Sequence, residues 1–123
     1  MSEYVSGACN IGPSEIKRRR QGALIGAVLF AITTLLFVIT DAPTTTRILV
    51  FIPALLFAVG MIQSRKRFCV AYGFLGVFSL EKLGATTKIT INQDLKADRK
   101  YAIKLLTQSI LISIALTLMV VFL

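Results

Sequence analysis

The sequence predicts an all-α membrane protein with three transmembrane helices. Its 123 residues include three apolar stretches that contain no ionisable side chain, at 21–40, 48–64 and 105–123. Each stretch has 17 to 20 residues, close to the roughly 20 that an α-helix needs to cross about 30 Å of hydrocarbon. A soluble domain of this length has no interior that could bury three such helices. We therefore predict one integral membrane domain, 1–123, with spans at about 21–40, 46–64 and 104–123 and a cytoplasmic segment at 65–103.

Composition supports the same class. Apolar residues make up 55% of the chain and charged residues 16%, and the mean hydropathy is +0.77, above the usual range of soluble domains. The net charge of +8 would favour nucleic acid as the partner of a soluble protein. Here the basic residues flank membrane spans, so we expect no nucleic acid and a lipid bilayer with anionic headgroups instead.

The basic residues also predict the orientation. Thirteen of the 14 Lys and Arg residues lie before the first span, or between the second and third spans; Arg47 alone lies in the 41–47 loop. Cytoplasmic segments retain Lys and Arg. The chain is therefore predicted to be a multi-pass protein of the cytoplasmic (plasma) membrane, with its N-terminus inside and its C-terminus outside.

The first helix is predicted to begin near Pro13 and to run unbroken into the first span. Proline suits the first turn of a helix, and Glu15 suits its positive end; Ser14 is an alternative cap. Basic clusters at the inner ends of the first two spans are expected to fix the topology, with their charges reaching lipid phosphates. These cations are Lys17, Arg18, Arg19, Arg20, Arg65, Lys66 and Arg67.

The loop after the first span predicts a tight turn. Pro43 is expected to end the first helix and residues 44–46, all threonines, to cap the second. A connection this short makes the first two spans an antiparallel hairpin.

Small residues at four-residue spacing predict where the helices approach each other. Helices in a bilayer need close contact, because lipid tails are as apolar as leucine. Hydroxyls at such positions can bond to the carbonyls of their own helix. The predicted packing residues are Gly22 and Gly26 in the first span, Ala54 and Ala58 in the second, and Ser109 and Ser113 in the third.

The segment 68–80 is uncharged but too short to span a membrane. Gly73 and Gly76 argue against a regular helix throughout, and the aromatic residues favour a position along the inner membrane surface. Alternatively, 77–81 and 88–91 form a small β-hairpin around Gly84. From Asp94, a plausible N-cap, the chain is expected to become helical and to continue into the third span.

Cys9 and Cys69 are the side chains with the most distinctive chemistry. Both are predicted on the reducing cytoplasmic side, so we expect no structural disulfide. The hairpin brings their segments to the same membrane face, and nearby cations can favour a reactive thiolate. Because the chain has no histidine, two thiols do not complete a tetrahedral zinc site. No metal and no cofactor is predicted.

Two blocks carry a resemblance. The run from Cys9 to Ile16, Cys-Asn-Ile-Gly-Pro-Ser-Glu-Ile, and the run 67–78 resemble a set of small uncharacterised bacterial membrane proteins. The resemblance implies no activity, but it directs attention to both cysteine-bearing blocks.

The sequence predicts a small non-enzymatic protein that is an accessory or structural subunit of a larger membrane complex. The sequence has no histidine to act as the base for a nucleophile, and it has no phosphate-binding glycine pattern, so no motif indicates an enzyme. One alternative is a thiol-dependent redox or metal-binding protein that uses Cys9 and Cys69. Another is a small homo-oligomeric channel or permease.

Overall fold

The computed structural model describes residues 4–80 and 86–123. Long helices dominate it, accompanied by two short helices, a 3-10 turn and two short strands. In chain order these are α1 (Pro13–Ile39), α2 (Thr44–Arg47), a 3-10 turn (Ile48–Val50), α3 (Phe51–Lys66), α4 (Val70–Leu75), β1 (Val77–Phe78), β2 (Thr87–Lys88) and α5 (Asn92–Val121).

Within the described residues, three helices are long and apolar enough to cross a membrane, which confirms the predicted fold class. They are Pro13–Ile39, Thr44–Lys66 and Asn92–Val121. The second begins with α2 and the 3-10 turn and continues as α3. The turn lies just before Pro53, whose missing N–H leaves the Leu49 carbonyl without its usual helical donor.

The three helices form an open layer with α3 in the middle. α1 and α5 each pack along α3 and hardly touch one another. α1 and α3 are antiparallel, because the later α3 residue contacts the earlier α1 residue: Gly60 packs against Ala23, and Phe57 packs against Gly26. The first two spans therefore form the predicted antiparallel hairpin.

Small side chains make the contact between α1 and α3. A Cβ atom built on Gly26 would lie 2.5 Å from the Phe57 nitrogen, and one on Gly60 would lie 2.7 Å from the Ala23 nitrogen. Ala54 and Ala58 are buried on the same helix as Gly60. Gly22 differs, because a Cβ there would meet nothing within 4 Å. Within this chain, α1 therefore approaches α3 closely at Gly26 and not at Gly22.

The interior face of α5 carries a ladder of hydroxyls. Ser109, Ser113 and Thr117 are all buried, and each donates to the carbonyl four residues earlier, at 2.9, 2.7 and 2.7 Å. Each hydroxyl thus has a partner within its own helix. Their small volume lets α3 pack closely against α5.

Several predicted helix ends differ in detail. α1 begins at Pro13 as predicted, with Gly12 rather than Ser14 at the N-cap. The N-cap of α2 is Pro43, and no threonine side chain caps it. α5 begins at Asn92, two residues before the expected cap Asp94, which lies in the first turn instead. Asp94 remains favourably placed there, near the positive end of the helix dipole.

The segment that follows α3 contains a short helix and two short strands, while its predicted position along the inner membrane surface stays a prediction. α4 is a short helix that ends at Gly76, whose φ of +74° is accessible to glycine at little cost. β1 and β2 then pair antiparallel, Val77 with Lys88 and Phe78 with Thr87, so the small β-hairpin is confirmed. Gly84, its predicted turn residue, lies outside the described residues.

At the far end of the layer, Arg47 joins the second and third spans. Its guanidinium is buried and donates to the Ala42, Val120 and Leu123 carbonyls at 2.9 to 3.2 Å. Both carbonyls lie at the C-terminal end of α5, where the last backbone acceptors have few helical donors. Arg47 therefore links the loop after α1 to the end of α5.

Candidate functional site at the basic end

The opposite end of the layer carries a folded cap of polar segments. We define this basic-end cap as residues 4–12, 67–80 and 86–98. Its centre is a strand-like run at 10–12, in which the Asn10 and Ile11 amides donate to the Arg67 carbonyl and the Gly12 amide donates to Ser79. A Cβ on Gly12 would overlap the Leu80 carbonyl, so this close approach of two backbones requires glycine.

Asn10 fastens the N-terminal segment to the start of α4. Its side-chain oxygen accepts from the Cys69 amide at 2.7 Å, and its side-chain nitrogen donates to the Cys69 carbonyl at 3.2 Å. The side chain is fully buried. An amide can pair with a backbone N–H and C=O at once because it has both a donor and an acceptor, and a carboxylate could not replace it.

Asp98 makes a second link, from α5 to the beginning of the chain. Its carboxyl accepts from the Tyr4 hydroxyl at 2.8 Å and from the Gly7 amide at 2.7 Å. Tyr4 also stacks on Phe78, with ring centroids 4.6 Å apart. Burial raises the pKa of Tyr4, and the neighbouring Asp98 carboxyl raises it further. The buried Asn10 and Asp98 side chains thus hold the three segments of the cap together.

Glu15 lies in the first turn of α1, and its side chain is buried. It is 1% exposed, accepts from the Tyr72 hydroxyl at 2.6 Å, and lies 3.7 Å from the Arg19 guanidinium. Its Oε1 atom is buried without a hydrogen-bond partner among the described residues. Burial and the hydrogen bond to Glu15 raise the pKa of Tyr72.

Arg19 connects this carboxyl to the second cysteine. Its Nε donates to Gln63 Oε1 at 3.3 Å, and its Nη2 donates to Cys69 Sγ at 3.1 Å. The guanidinium also lies 5.9 Å from the centre of the Tyr72 ring, within range of a cation–π interaction. Arg19 therefore departs from the expectation that residues 17–20 all reach towards lipid, because it turns inward.

The remaining cations of the two clusters stay at the surface. Lys17, Arg18, Arg20, Arg65, Lys66 and Arg67 are all exposed. Arg67 adopts a left-handed conformation, with φ of +52°, and ends α3. Arg20 and Arg65 flank one apolar groove between α1 and α3, and Arg65 and Lys66 flank another between α3 and α5.

The two cysteines lie in segments that touch each other. Both are free thiols, Cys69 buried and Cys9 half-buried. Asn10, the neighbour of Cys9, bonds the backbone of Cys69 directly. The thiols themselves have different partners: Cys9 Sγ contacts the Ile11 carbonyl at 3.6 Å, whereas Cys69 Sγ accepts from Arg19. A shared reaction of the two sulfurs stays a prediction.

Sequence reasoning missed the inward-facing polar set of Asn10, Glu15, Arg19, Tyr72 and Asp98. One signal was present, since Glu15 and Arg19 are four residues apart on one helix and such pairs face each other. The partners of the set come from segments 44 to 94 residues away in sequence. The spacing of residues within one segment does not predict these contacts between distant segments.

Within the described residues, no group of three or more His, Cys, Asp or Glu side chains is placed to hold a metal ion. No protein-family model matches the chain, and no curated protein and no solved structure matches it significantly.

Proposed function

We propose that this protein is a small non-enzymatic subunit that assembles with a larger protein complex in the cytoplasmic membrane. One observation carries the proposal: α1 is a 27-residue helix whose buried residues are Glu15, Ala23 and Gly26, all in its first half. From residue 27 to its end, α1 buries no residue against the rest of the chain. This outer half of α1 offers a helical surface that a partner helix can cover.

The outer half of α1 also contains polar groups of a kind that stabilise helix contacts in membranes. Thr33 and Thr34 are half-buried, so part of each side chain remains accessible at the helix surface. Hydroxyls and small residues supply interhelical contacts where the hydrophobic effect gives no driving force. A second helix placed along this surface would supply such contacts.

The test is site-specific photo-crosslinking in the native membrane. A photoreactive residue at Leu29 or Leu36, both exposed on α1, should give one discrete product with a different protein, at a yield near one partner per chain. The same probe at Leu118, exposed on α5, is the matched control for random collisions. Equal yields at all three sites would contradict the proposal. A ladder of products containing this chain alone would favour the homo-oligomeric channel.

The orientation is part of the proposal: the basic-end cap faces the cytoplasm, where it meets anionic headgroups. The asymmetric distribution of Lys and Arg supports it. Thr45 and Lys88, both exposed, lie at opposite ends of the layer. In intact cells, a membrane-impermeant thiol reagent should label a Thr45→Cys variant but not a Lys88→Cys variant, with the wild-type chain as the control for the native cysteines. Labelling of Lys88→Cys in intact cells would overturn this orientation.

A second candidate function, a thiol-based redox protein, is favoured by the contact between Cys69 Sγ and the Arg19 guanidinium. Coupling the Cys9 and Cys69 thiols would release two protons and two electrons, which an added oxidant such as diamide accepts. Mild oxidation should then give an intramolecular disulfide, detected by peptide mass spectrometry, and Cys9→Ser should abolish it. Disulfides formed between molecules and not within them would rule out this function.

A further inference from the structure

Two apolar grooves lie side by side at the basic end of the helix layer. The first, about 370 Å³, runs between α1 and α3 and is lined by Ala27, Phe57 and Met61 among others. The second, about 450 Å³, runs between α3 and α5 and is lined by Met61, Leu111 and Ile112 among others. Each volume falls within the range of roughly 300–1,000 Å³ that is common for small-molecule sites.

The two grooves share the ridge formed by Met61 and Arg65 of α3. These residues are one helical turn apart, so they lie on the same side of the helix. Because α1 flanks the ridge on one side and α5 on the other, both grooves open on the same face of the layer. Two apolar channels therefore run beside one ridge, with Arg65 at their common inner end.

Cations surround that inner end. Arg20 lines the first groove, Lys66 lines the second, and Arg65 lines both. All three are exposed, and none has an ion-pair partner among the described residues. Arg19, the neighbour of Arg20, is in contrast occupied by Glu15, Gln63 and Cys69.

We propose that this face binds one two-chain anionic phospholipid, with an acyl chain in each groove, the glycerol above Met61 and the phosphate at Arg65. The arrangement matches both halves of such a lipid: apolar channels for the tails, and a cluster of unpaired cations for the phosphate. Guanidinium groups bind phosphate through paired hydrogen bonds. This proposal needs no protein partner, but it uses the inferred placement of the basic end in a headgroup layer.

The test uses the purified full-length protein after lipid removal in detergent. Native mass spectrometry follows the binding of dioleoyl phosphatidylglycerol and dioleoyl phosphatidylcholine. We expect one phosphatidylglycerol to be retained per chain. Arg65→Gln should weaken its binding about fivefold or more, which corresponds to about 1 kcal/mol for one cation at the membrane surface. Arg18→Gln removes the same charge from an exposed site that lines neither groove, and it should change binding less than twofold.

Two further measurements distinguish a lipid bound in the grooves from nonspecific attraction between the cations and any anionic lipid. Ala27→Phe leaves every charge in place and fills part of the first groove, so it should weaken phosphatidylglycerol binding by a similar factor. Circular dichroism and thermal unfolding check that this variant folds. Lyso-phosphatidylglycerol, which has the same headgroup and one chain, should bind at least fivefold more weakly to the wild-type protein. Equal weakening by Arg18→Gln and Arg65→Gln, or equal binding of the one-chain and two-chain lipids, would overturn the proposal.

Discussion

The membrane-spanning layer and the basic-end cap are held together in different ways. In the layer, the buried side chains are mostly small, such as Ala23, Gly26, Ala58 and Ser113. Each buried hydroxyl of α5 bonds the carbonyl four residues before it. In the cap, the buried polar side chains Asn10 and Asp98 instead bond partners 59 to 94 residues away.

The difference follows from the surroundings of each region. Hydrocarbon offers no hydrogen bonds, so a helix must satisfy its polar groups itself, and helices associate through close fit. Outside the hydrocarbon, segments such as 4–12 lack regular secondary structure, and their backbone groups need partners elsewhere in the chain. The layer should therefore be sensitive to side-chain volume, and the cap to the loss of individual polar side chains.

The largest effect is expected at Asn10. Asn10→Ala leaves the buried Cys69 amide without a partner, at a cost of about 1–3 kcal/mol, and removes a second hydrogen bond, from the Asn10 side chain to the Cys69 carbonyl, worth about 0.5–1.5 kcal/mol. The Cys69 carbonyl keeps the Gly73 amide as a donor. We expect the free energy of unfolding to fall by about 2–4 kcal/mol, together with fast hydrogen exchange at the Cys69 amide. Asn92→Ala changes the other asparagine, which is exposed, and should have little effect. Slow exchange at Cys69 in the Asn10 variant would show that the cap does not depend on this residue.

A smaller loss is expected from a volume change in the layer. Gly26→Leu forces a side chain into the Phe57 backbone, and such overpacking costs about 1–3 kcal/mol. Gly22→Leu, one turn away on α1, has open space around its Cβ position and should be nearly neutral. Thermal unfolding in detergent compares the two variants. Similar destabilisation by both would mean that Gly22 is covered by another molecule.

High pH should destabilise the cap before it destabilises the helix layer. The pKa values of Tyr4 and Tyr72 are raised in the folded protein, whereas a tyrosine in an unfolded chain titrates near 10. The unfolded chain therefore loses these protons first, so their contribution is complete below pH about 10 and declines as the pH rises above it. Tyr4→Phe should reduce this alkaline loss of cap stability. Proteolysis of the N-terminal segment in the wild-type and variant proteins, measured against pH, checks this.

The smallest loss of stability is expected from removing a hydroxyl of the ladder on α5. Ser113→Ala removes a bond that the helix makes with itself and leaves the volume nearly unchanged, so the loss should stay below about 0.6 kcal/mol. Ser113→Leu, at the same buried position, should cost several times more because it separates α3 from α5. A large loss in the alanine variant would show that the Ser113 hydroxyl also binds something across the interface.

Much of the layer could be predicted from the sequence. Uncharged stretches of 17 to 20 residues determine a spanning helix, because length and hydropathy alone decide whether a helix can cross hydrocarbon. Pro13 and the short 41–47 loop located one helix start and the antiparallel hairpin. Of the small residues predicted at four-residue spacing, Ala54, Ala58, Ser109 and Ser113 are buried, whereas a Cβ on Gly22 would meet open space.

The cap depended on tertiary structure. Nothing in the run Cys-Asn-Ile-Gly-Pro indicates that Asn10 bonds the backbone of Cys69, or that Gly12 lies against the Leu80 carbonyl. In the basic cluster, Arg19 turns inward while Arg20 stays exposed, although the two are chemically identical neighbours. The sequence by itself determined which segments enter the membrane, because that depends on each segment alone. Only tertiary structure decided which polar side chains are buried, because their partners come from distant parts of the chain.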